Sequence, residues 1–210
     1  MQEHYIVSPP GHPNWLELKP SNLNLTGLDG NSNGPGGITF ISRRQVDTLF
    51  TYDLTFNYDP TAYNEEAGIS LFLSQNHHAR LGITMLPASN TSNATLIPHF
   101  HFHAISYIPV PADVIAPVPS AWTNKLLTLS LRTVNQTHYE FGAGPADGSD
   151  RPRQVAMVSG EIISWGFTGA LVGAYATSNG GQGRTSAYVS DWRYEGWGQV
   201  REVWNGTLRA

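Results

Sequence analysis

The sequence predicts an all-β fold, a sandwich of two antiparallel sheets, and three observations support this. Apolar and polar residues alternate with a period of two in many short segments, which is typical of strands with one face on a core. Turn-forming residues separate these segments, since the chain has 21 Gly and 14 Pro in 210 residues. No segment keeps a helical period over about 11 residues. We therefore expect roughly ten to fourteen short strands, as in a sandwich.

The predicted strands follow one another within one domain. Residues 1–13 are polar and proline-rich and are expected to form a lead-in, residues 14–195 the sandwich, and residues 196–210 a tail or an edge strand. The strands are expected at 15–18, 23–25, 38–45, 50–58, 68–74, 78–85, 97–108, 126–134, 138–141, 154–158, 171–177 and 187–194. The clearest alternation is in 50–58, where aromatic and leucine side chains face one way and Thr, Asp and Asn the other.

Composition excludes several classes of function. Charged residues make up 13% of the chain and the net charge is −4, whereas nucleic-acid binding requires a basic surface. The absence of cysteine excludes disulfides, thiol catalysis and cysteine-ligated zinc. No apolar run reaches the roughly 18 residues of a transmembrane helix.

Glycosylation sequons favour a secreted eukaryotic protein. The chain contains five Asn-x-Ser/Thr sequons, although no signal peptide is recognisable at its start. We expect secretion, with the signal peptide outside this chain. The predicted acceptors are Asn24, Asn90, Asn93, Asn135 and Asn205.

The predicted hairpin 68–85 has an unusual second face. Its apolar residues alternate with Phe72, His78 and Arg80, so an aromatic ring, an imidazole and a guanidinium share one sheet surface. An ordinary solvated face would explain this pattern. The sharper interpretation is a polar, aromatic-lined surface for a neutral, hydroxyl-rich ligand.

Two other patterns, one metal-binding and one catalytic, compete with this interpretation. His99, His101 and His103 point to one side of a predicted strand and could contribute zinc ligands, but the segment contains no carboxylate or cysteine to complete a site. We therefore expect no metal site and no cofactor, and the sequence does not decide whether calcium is bound. Glycosidases need two carboxylates about 5–9 Å apart, and no Asp or Glu in the sequence has an evident partner.

Several motifs together resemble a known family. They are NWLEL (14–18) with LNLTG (23–27), SRRQ (42–45), NEEAGI (64–69), HHARLGI (77–83), GFTG (166–169), VGAYATSNG (172–180) and DWRY (191–194). In this order they resemble the C-terminal concanavalin A-like β-sandwich domain of glycoside hydrolase family 43 β-xylosidases, also described as a xylan-binding module. The resemblance covers nearly the whole chain, and the proline-rich segment 87–119 suits a fungal branch.

The resemblance implies a concanavalin A-like jelly roll that is non-catalytic by itself. In the family this domain packs on a separate catalytic propeller and can lend a loop to the rim of its active site. That loop would include Phe167, with Trp165 beside it, while a core aromatic beside a turn is an equal alternative for Phe167. The closing strand departs from the family pattern at Val189-Ser-Asp-Trp, which puts any inherited role of Asp191 in doubt.

We therefore predict a domain that binds xylan or xylo-oligosaccharides, or completes a β-xylosidase or arabinofuranosidase. The expected ligand contacts are Arg43, Arg44, Glu66, His78, Arg80 and Trp122. The face carrying Arg80 and His78 could instead form a structural polar network beneath the ligand, in which Arg80 and Glu66 contact only each other. Two alternatives stay open: a stand-alone jelly-roll glycoside hydrolase, and a purely structural interface domain without sugar affinity.

Overall fold

Strands account for nearly all the regular structure of the described chain. The computed structural model describes residues 4–27, 37–89, 91, 94–165 and 169–199, and the backbone of 202–204 and 207–209. In chain order the strands are β1 (Tyr5–Val7), β2 (Leu16–Leu18), β3 (Thr39–Arg44), β4 (Leu49–Asn57), β5 (Glu66–Ser74), β6 (His77–Pro87), β7 (Leu96–Ile105), β8 (Val114–Pro117), β9 (Leu127–Thr133), β10 (His138–Pro145), β11 (Arg153–Ser159), β12 (Leu171–Thr177), β13 (Ala187–Gly198), β14 (Glu202–Trp204) and β15 (Thr207–Arg209).

The strands form two large antiparallel sheets. The seven-stranded sheet has the order β1-β2-β13-β4-β9-β10-β11, and the six-stranded sheet has the order β3-β12-β5-β6-β7-β8. Neighbouring strands in both sheets pair antiparallel. The predicted all-β, two-sheet sandwich is therefore confirmed.

The core lies between the inner faces of the two sheets, as the alternation predicts. On β4, Phe50, Tyr52 and Leu54 are each 0% exposed, while Thr51 and Asp53 between them are partly exposed. On the facing sheet, Ile69 and Leu71 of β5 are equally buried. One face of each strand therefore removes apolar surface from water, and the other face is left for polar side chains.

The termini of the domain differ from the expected boundaries. Tyr5–Val7, within the expected lead-in, pairs with Leu16–Leu18 as an edge strand of the seven-stranded sheet. The expected strand at 23–25 is reduced to a single bridge between Leu23 and Ile38. Near the C-terminus, Glu202–Trp204 pairs with Thr207–Arg209, and this hairpin is separate from both large sheets.

Helical structure in the described ranges is limited to two short 3₁₀ helices, Ser120–Trp122 and Gly160–Ile163. Over the same ranges, no helix has the length and apolar character needed to cross a membrane.

A buried carboxylate fixes the entry to β5. Glu65 is 0% exposed and accepts hydrogen bonds from the backbone N–H groups of Thr61 (2.8 Å), Ala62 (2.9 Å) and Thr185 (2.6 Å), and from the Thr185 hydroxyl (2.8 Å). Burial alone raises the pKa of a carboxyl group, but these hydrogen bonds lower the pKa of Glu65 overall. The carboxylate therefore ties the turn before β5 to the loop before β13.

Candidate functional site

The outer face of the six-stranded sheet is polar, and strand pairing brings its side chains into rows. One row pairs Ser70 of β5 with Arg80 of β6 and His103 of β7. The adjacent row places Gly82 between Gly68 and His101. We call this surface the polar sheet face. Its residues are Glu66, Ser70, Arg80, Thr84, His99, His101, His103, Tyr175 and, from the loop before β8, Asp113.

A buried hydrogen-bonded network lies at the centre of the polar sheet face. The Arg80 guanidinium forms an ion pair with Glu66, and the Tyr175 hydroxyl donates to the same carboxylate oxygen. The other oxygen of Glu66 lies 3.0 Å from Nδ1 of His101 and 3.4 Å from the side-chain nitrogen of Asn179. Glu66 is 1% exposed and Arg80 8%, so each charge has its partner inside the network rather than in solvent.

A glycine makes room for this network. A Cβ atom on Gly82 would lie 2.5 Å from the Tyr175 hydroxyl and 2.7 Å from Cγ of Glu66, closer than nonbonded atoms approach. Glycine at this position therefore leaves room for the Tyr175 hydroxyl and the Glu66 carboxylate.

The network reaches the surface through two histidines and an aspartate. Nε2 of His101 lies 3.6 Å from Asp113, and Nδ1 of His103 lies 2.9 Å from the other oxygen of that carboxylate. Burial, and then the nearby positive charge of Arg80, lower the pKa of both histidines. Both imidazoles are therefore neutral at pH 7, and each can donate one hydrogen bond and accept one.

The structure brings two of the predicted ligand contacts, Arg80 and Glu66, into direct contact, as partners of one ion pair. His78 lies on the same sheet face, but it is 0% exposed and its ring stacks on Phe72 with centroids 5.5 Å apart. Burial lowers the pKa of His78 to about 4. This side chain is neutral and covered, and it supports the sheet rather than meeting solvent.

The other predicted contacts lie away from the network. Arg43 points to the opposite side of β3, where its guanidinium lies 3.8 Å from the centre of the Tyr194 ring. Arg44 is exposed at the end of that edge strand.

Trp122 is a core residue in the structure. It is 2% exposed and its indole N–H donates to Asp150 at 3.1 Å. The Arg153 guanidinium lies 4.8 Å from the ring centre, and the edge of Phe100 packs nearby. The ring therefore offers no open face on which a sugar could stack.

Three residues of the network and its extension to the surface are not among the predicted ligand contacts: Tyr175, Asp113 and Asn179. Tyr175 lies within an apolar segment where both faces read as buried, so the alternation does not single it out. Asp113 lies in the proline-rich segment, which carries no periodic signal. Asn179 comes from the glycine-rich loop after β12. The pattern His99-x-His101-x-His103 was the usable signal, because it places three imidazoles on one face.

A second exposed feature lies at the end of the β5–β6 hairpin. Trp165 is 49% exposed and Tyr107 73%, and both rings meet the His77 ring edge-on. With Leu73 they line a shallow depression on the surface. We call these residues the aromatic edge. Phe167, the other predicted domain contact, lies outside the described residues.

Among the described residues, two groups of carboxylates bear on the hydrolase alternative. Glu66 and Asp113 flank His101, but Glu66 is buried and ion-paired, so it cannot reach a glycosidic oxygen. On the seven-stranded sheet, Asp53, Asp150 and Asp191 line one groove of about 360 Å³. Burial raises the pKa of Asp53. This groove is where the hydrolase alternative would have its acid and base.

Two of the five predicted glycosylation acceptors lie in described segments. Asn135 is exposed at the turn between β9 and β10, where its side-chain oxygen accepts hydrogen bonds from the backbone N–H groups of Thr137 (2.8 Å) and His138 (2.9 Å). Asn24 is half-buried and bonded to Thr26. Asn90, Asn93 and Asn205 lie outside the described residues.

Comparison with known proteins places the chain in a family. Residues 3–195 match the family described as Beta xylosidase C-terminal Concanavalin A-like domain. A relative from Bacteroides ovatus, the non-reducing end alpha-L-arabinofuranosidase BoGH43B, is 29% identical over 190 residues, which are 89% of this chain and 33% of the relative. This chain therefore spans about a third of the length of that relative.

Solved structures show the same fold. The Bacteroides ovatus xyloglucan PUL GH43B structure superposes with a TM-score of 0.65 at 25% identity, over 89% of this chain and 33% of that one. The xylan beta-1,4-xylosidase from Bacillus halodurans gives a TM-score of 0.64 at 15% identity, over 89% and 33% of the two chains. The chain thus belongs to the family of β-xylosidase C-terminal concanavalin A-like domains, the accessory C-terminal domains of family 43 glycoside hydrolases.

Proposed function

We propose that this domain binds xylan or xylo-oligosaccharides on its polar sheet face and does not itself hydrolyse them. The observation that carries the proposal is the buried Arg80–Glu66 network, which holds two neutral imidazoles and a carboxylate at the surface. The family's description and the arabinofuranosidase relative favour a pentose-containing polysaccharide as ligand.

The accessible groups suit hydroxyl-rich chains. Asp113 can accept hydrogen bonds from adjacent sugar hydroxyls. Nε2 of His101 and of His103 can accept as well, because Nδ1 of each ring faces a carboxylate. Half-buried Phe40 and Phe72, with ring centroids 5.0 Å apart, add apolar surface on the same side of the sheet for sugar C–H groups. The network beneath fixes the imidazoles before the ligand arrives, which lowers the entropic cost of binding.

Calorimetric titration tests this assignment. The isolated domain is titrated with xylose, xylo-oligosaccharides, arabino-oligosaccharides and cello-oligosaccharides, and we expect heat only with chains of pentose units. Asp113→Ala, at a side chain that is 47% exposed, should abolish the heat without lowering the melting temperature. Lys125→Ala, at an exposed pair with Asp147 away from the polar sheet face, is the matched control and should bind as the unchanged domain does. Equal binding by both variants would contradict the assignment.

The aromatic edge is the proposed contact with a family 43 catalytic domain. Exposed aromatic rings are enriched at protein interfaces and dominate their binding energy. Trp165 and Tyr107 form such an exposed pair, with ring centroids 6.3 Å apart. The segment that follows Trp165 contains Phe167, the residue that the family resemblance assigns to the rim of the active site.

Co-migration in size-exclusion chromatography tests this contact. The domain is mixed with a family 43 catalytic domain that lacks its own C-terminal sandwich, and we expect a one-to-one complex. Trp165→Ser should abolish the complex, whereas Trp197→Ser, at a tryptophan that is 57% exposed on β13, should leave it intact. The contact is wrong if both variants, or neither, lose the complex.

The hydrolase alternative is tested at the carboxylate groove. The isolated domain should release no xylose or arabinose from aryl glycosides or xylan. Turnover that Asp53→Asn abolishes would overturn the non-catalytic assignment and place the activity in the groove of the seven-stranded sheet.

A further inference from the structure

Two histidines and an aspartate converge at the accessible margin of the polar sheet face. One ligand atom from each of His101, His103 and Asp113 can be chosen so that all three lie within 4.8 Å of one another. The individual separations are 2.9 Å from Nδ1 of His103 to one Asp113 oxygen and 3.6 Å from Nε2 of His101 to the other. Adjacent ligands of a tetrahedral zinc ion are about 3.3 Å apart, so small side-chain movements suffice to close the site.

The strand segment that carries the histidines contains no carboxylate, but Asp113 supplies one from outside it. Asp113 is ten residues from His103 and belongs to the loop that leads into β8. Pairing of β8 with β7, in which Val114 lies opposite Phe102, brings the aspartate alongside the histidine row.

The position of Glu66 matches what metal-binding histidines need from their surroundings. Its carboxylate can only accept a hydrogen bond, so Nδ1 of His101, 3.0 Å away, carries the hydrogen and Nε2 keeps its lone pair. That lone pair faces Asp113. A carboxylate behind a histidine in this way fixes the ring and raises its basicity as a ligand.

The charges around the cluster also permit a cation. Arg80 is the nearest cationic side chain of the network, and its charge is cancelled by Glu66. Asp113 therefore leaves the cluster with a net negative charge.

We propose that His101 through Nε2, His103 through Nδ1 and the Asp113 carboxylate form a zinc-binding site, in which a water molecule supplies the fourth ligand. Zn²⁺ takes the place of the hydrogen between His103 and Asp113, and the His103 ring becomes its Nε2–H tautomer. Two imidazole nitrogens with one carboxylate favour Zn²⁺ over Ca²⁺, which prefers six to eight oxygen ligands. These side chains are also the ones proposed to meet sugar hydroxyls, but zinc binding is measured without sugar, so the outcome of one test does not decide the other.

Competition with a chromophoric chelator tests the site. Tag-free domain and Zn²⁺ alone are used, and the unchanged domain should withdraw one equivalent of metal from the chelator. Asp113→Asn and His103→Ala should each weaken Zn²⁺ binding at least about 10-fold, which is the lower limit for loss of even an outer partner of a metal ligand. An excess of Ca²⁺ should not displace the zinc.

His99→Asn is the matched control, because His99 shares the strand face but bonds to the carbonyl oxygen of Ile97 at 2.9 Å. It should bind zinc as the unchanged domain does. Circular dichroism and melting temperature establish that each variant is folded. The proposal fails if the unchanged domain takes up no zinc, if neither Asp113→Asn nor His103→Ala weakens binding, or if His99→Asn weakens it equally.

Discussion

The buried ion pair between Arg80 and Glu66 makes a sharp prediction about stability. Arg80→Met keeps much of the apolar stem but removes the guanidinium. Glu66, which is 1% exposed, then loses its cationic partner. Three neighbours remain to hydrogen-bond that carboxylate: Tyr175, His101 and Asn179.

The magnitude follows from burial. Removing one partner of a buried ion pair costs about 3–5 kcal/mol, because an uncompensated charge is left in a poorly solvated place. The surviving hydrogen bonds place Arg80→Met at the lower end, about 3 kcal/mol. For a domain of this size each kcal/mol lowers the melting temperature by about 2–4 °C, so we expect a loss of about 6–12 °C.

An ion pair with an exposed arginine supplies the control. Arg132 makes two hydrogen bonds to Glu140, each 3.0 Å long, and its side chain is 57% exposed while that of Glu140 is 12% exposed. Arg132→Met should cost less than about 1 kcal/mol, because the guanidinium lies in solvent, where its attraction to the carboxylate is screened. Urea unfolding of the two variants makes the comparison. Equal losses would refute the reasoning that burial, rather than pairing itself, sets the cost.

Three further predictions follow from contacts described above. Gly82→Ala should displace Glu66 and lower the unfolding free energy by about 2 kcal/mol, as measured by urea unfolding; no change would show that the network has room to move. Glu65→Gln should cost about 2 kcal/mol at pH 7, since four hydrogen bonds to a carboxylate are weakened. The folded pKa of Glu65 is lowered, so its stabilisation is present above the unfolded value of 4.5 and is lost as the pH falls through the folded pKa. The difference between Glu65→Gln and the unchanged domain should therefore shrink in urea titrations at pH 3, and a constant difference would contradict the assignment. Finally, we propose that a secreted form carries a glycan on exposed Asn135; expression through a yeast secretory pathway should give a mass that drops with Asn135→Gln, and an unchanged mass would exclude this acceptor.

The sandwich was predictable because its strands alternate cleanly. A strand such as β4 carries large apolar side chains on one face and short polar ones on the other, so its core face is readable without neighbours. The hairpin of β5 and β6 was readable for the same reason, and the polar side of Arg80 was correctly identified as a face opposite the core.

The set of residues that make up the polar sheet face was not predictable, because it depends on contacts between distant segments. Tyr175 meets Glu66 across 109 residues of sequence, and nothing local indicates which two strands become neighbours. Asp113 joins the histidines only because the short strand β8 pairs with β7 at the sheet edge.

The expected role of Trp122 fails for a different physical reason. Its segment is a short 3₁₀ helix with no usable period, so sequence alone does not reveal that the indole points inward. Irregular segments fold according to the tertiary contacts available to them, and here Asp150 and Arg153 supply those contacts.

Affinity electrophoresis through gels containing soluble xylan tests the central claim most directly. The unchanged domain and Arg132→Ala, altered on the seven-stranded sheet, should be retarded equally, while His103→Ala should migrate as in a gel without polysaccharide. Equal retardation of His103→Ala and the unchanged domain, with both folded, would contradict the assignment of sugar binding to the polar sheet face.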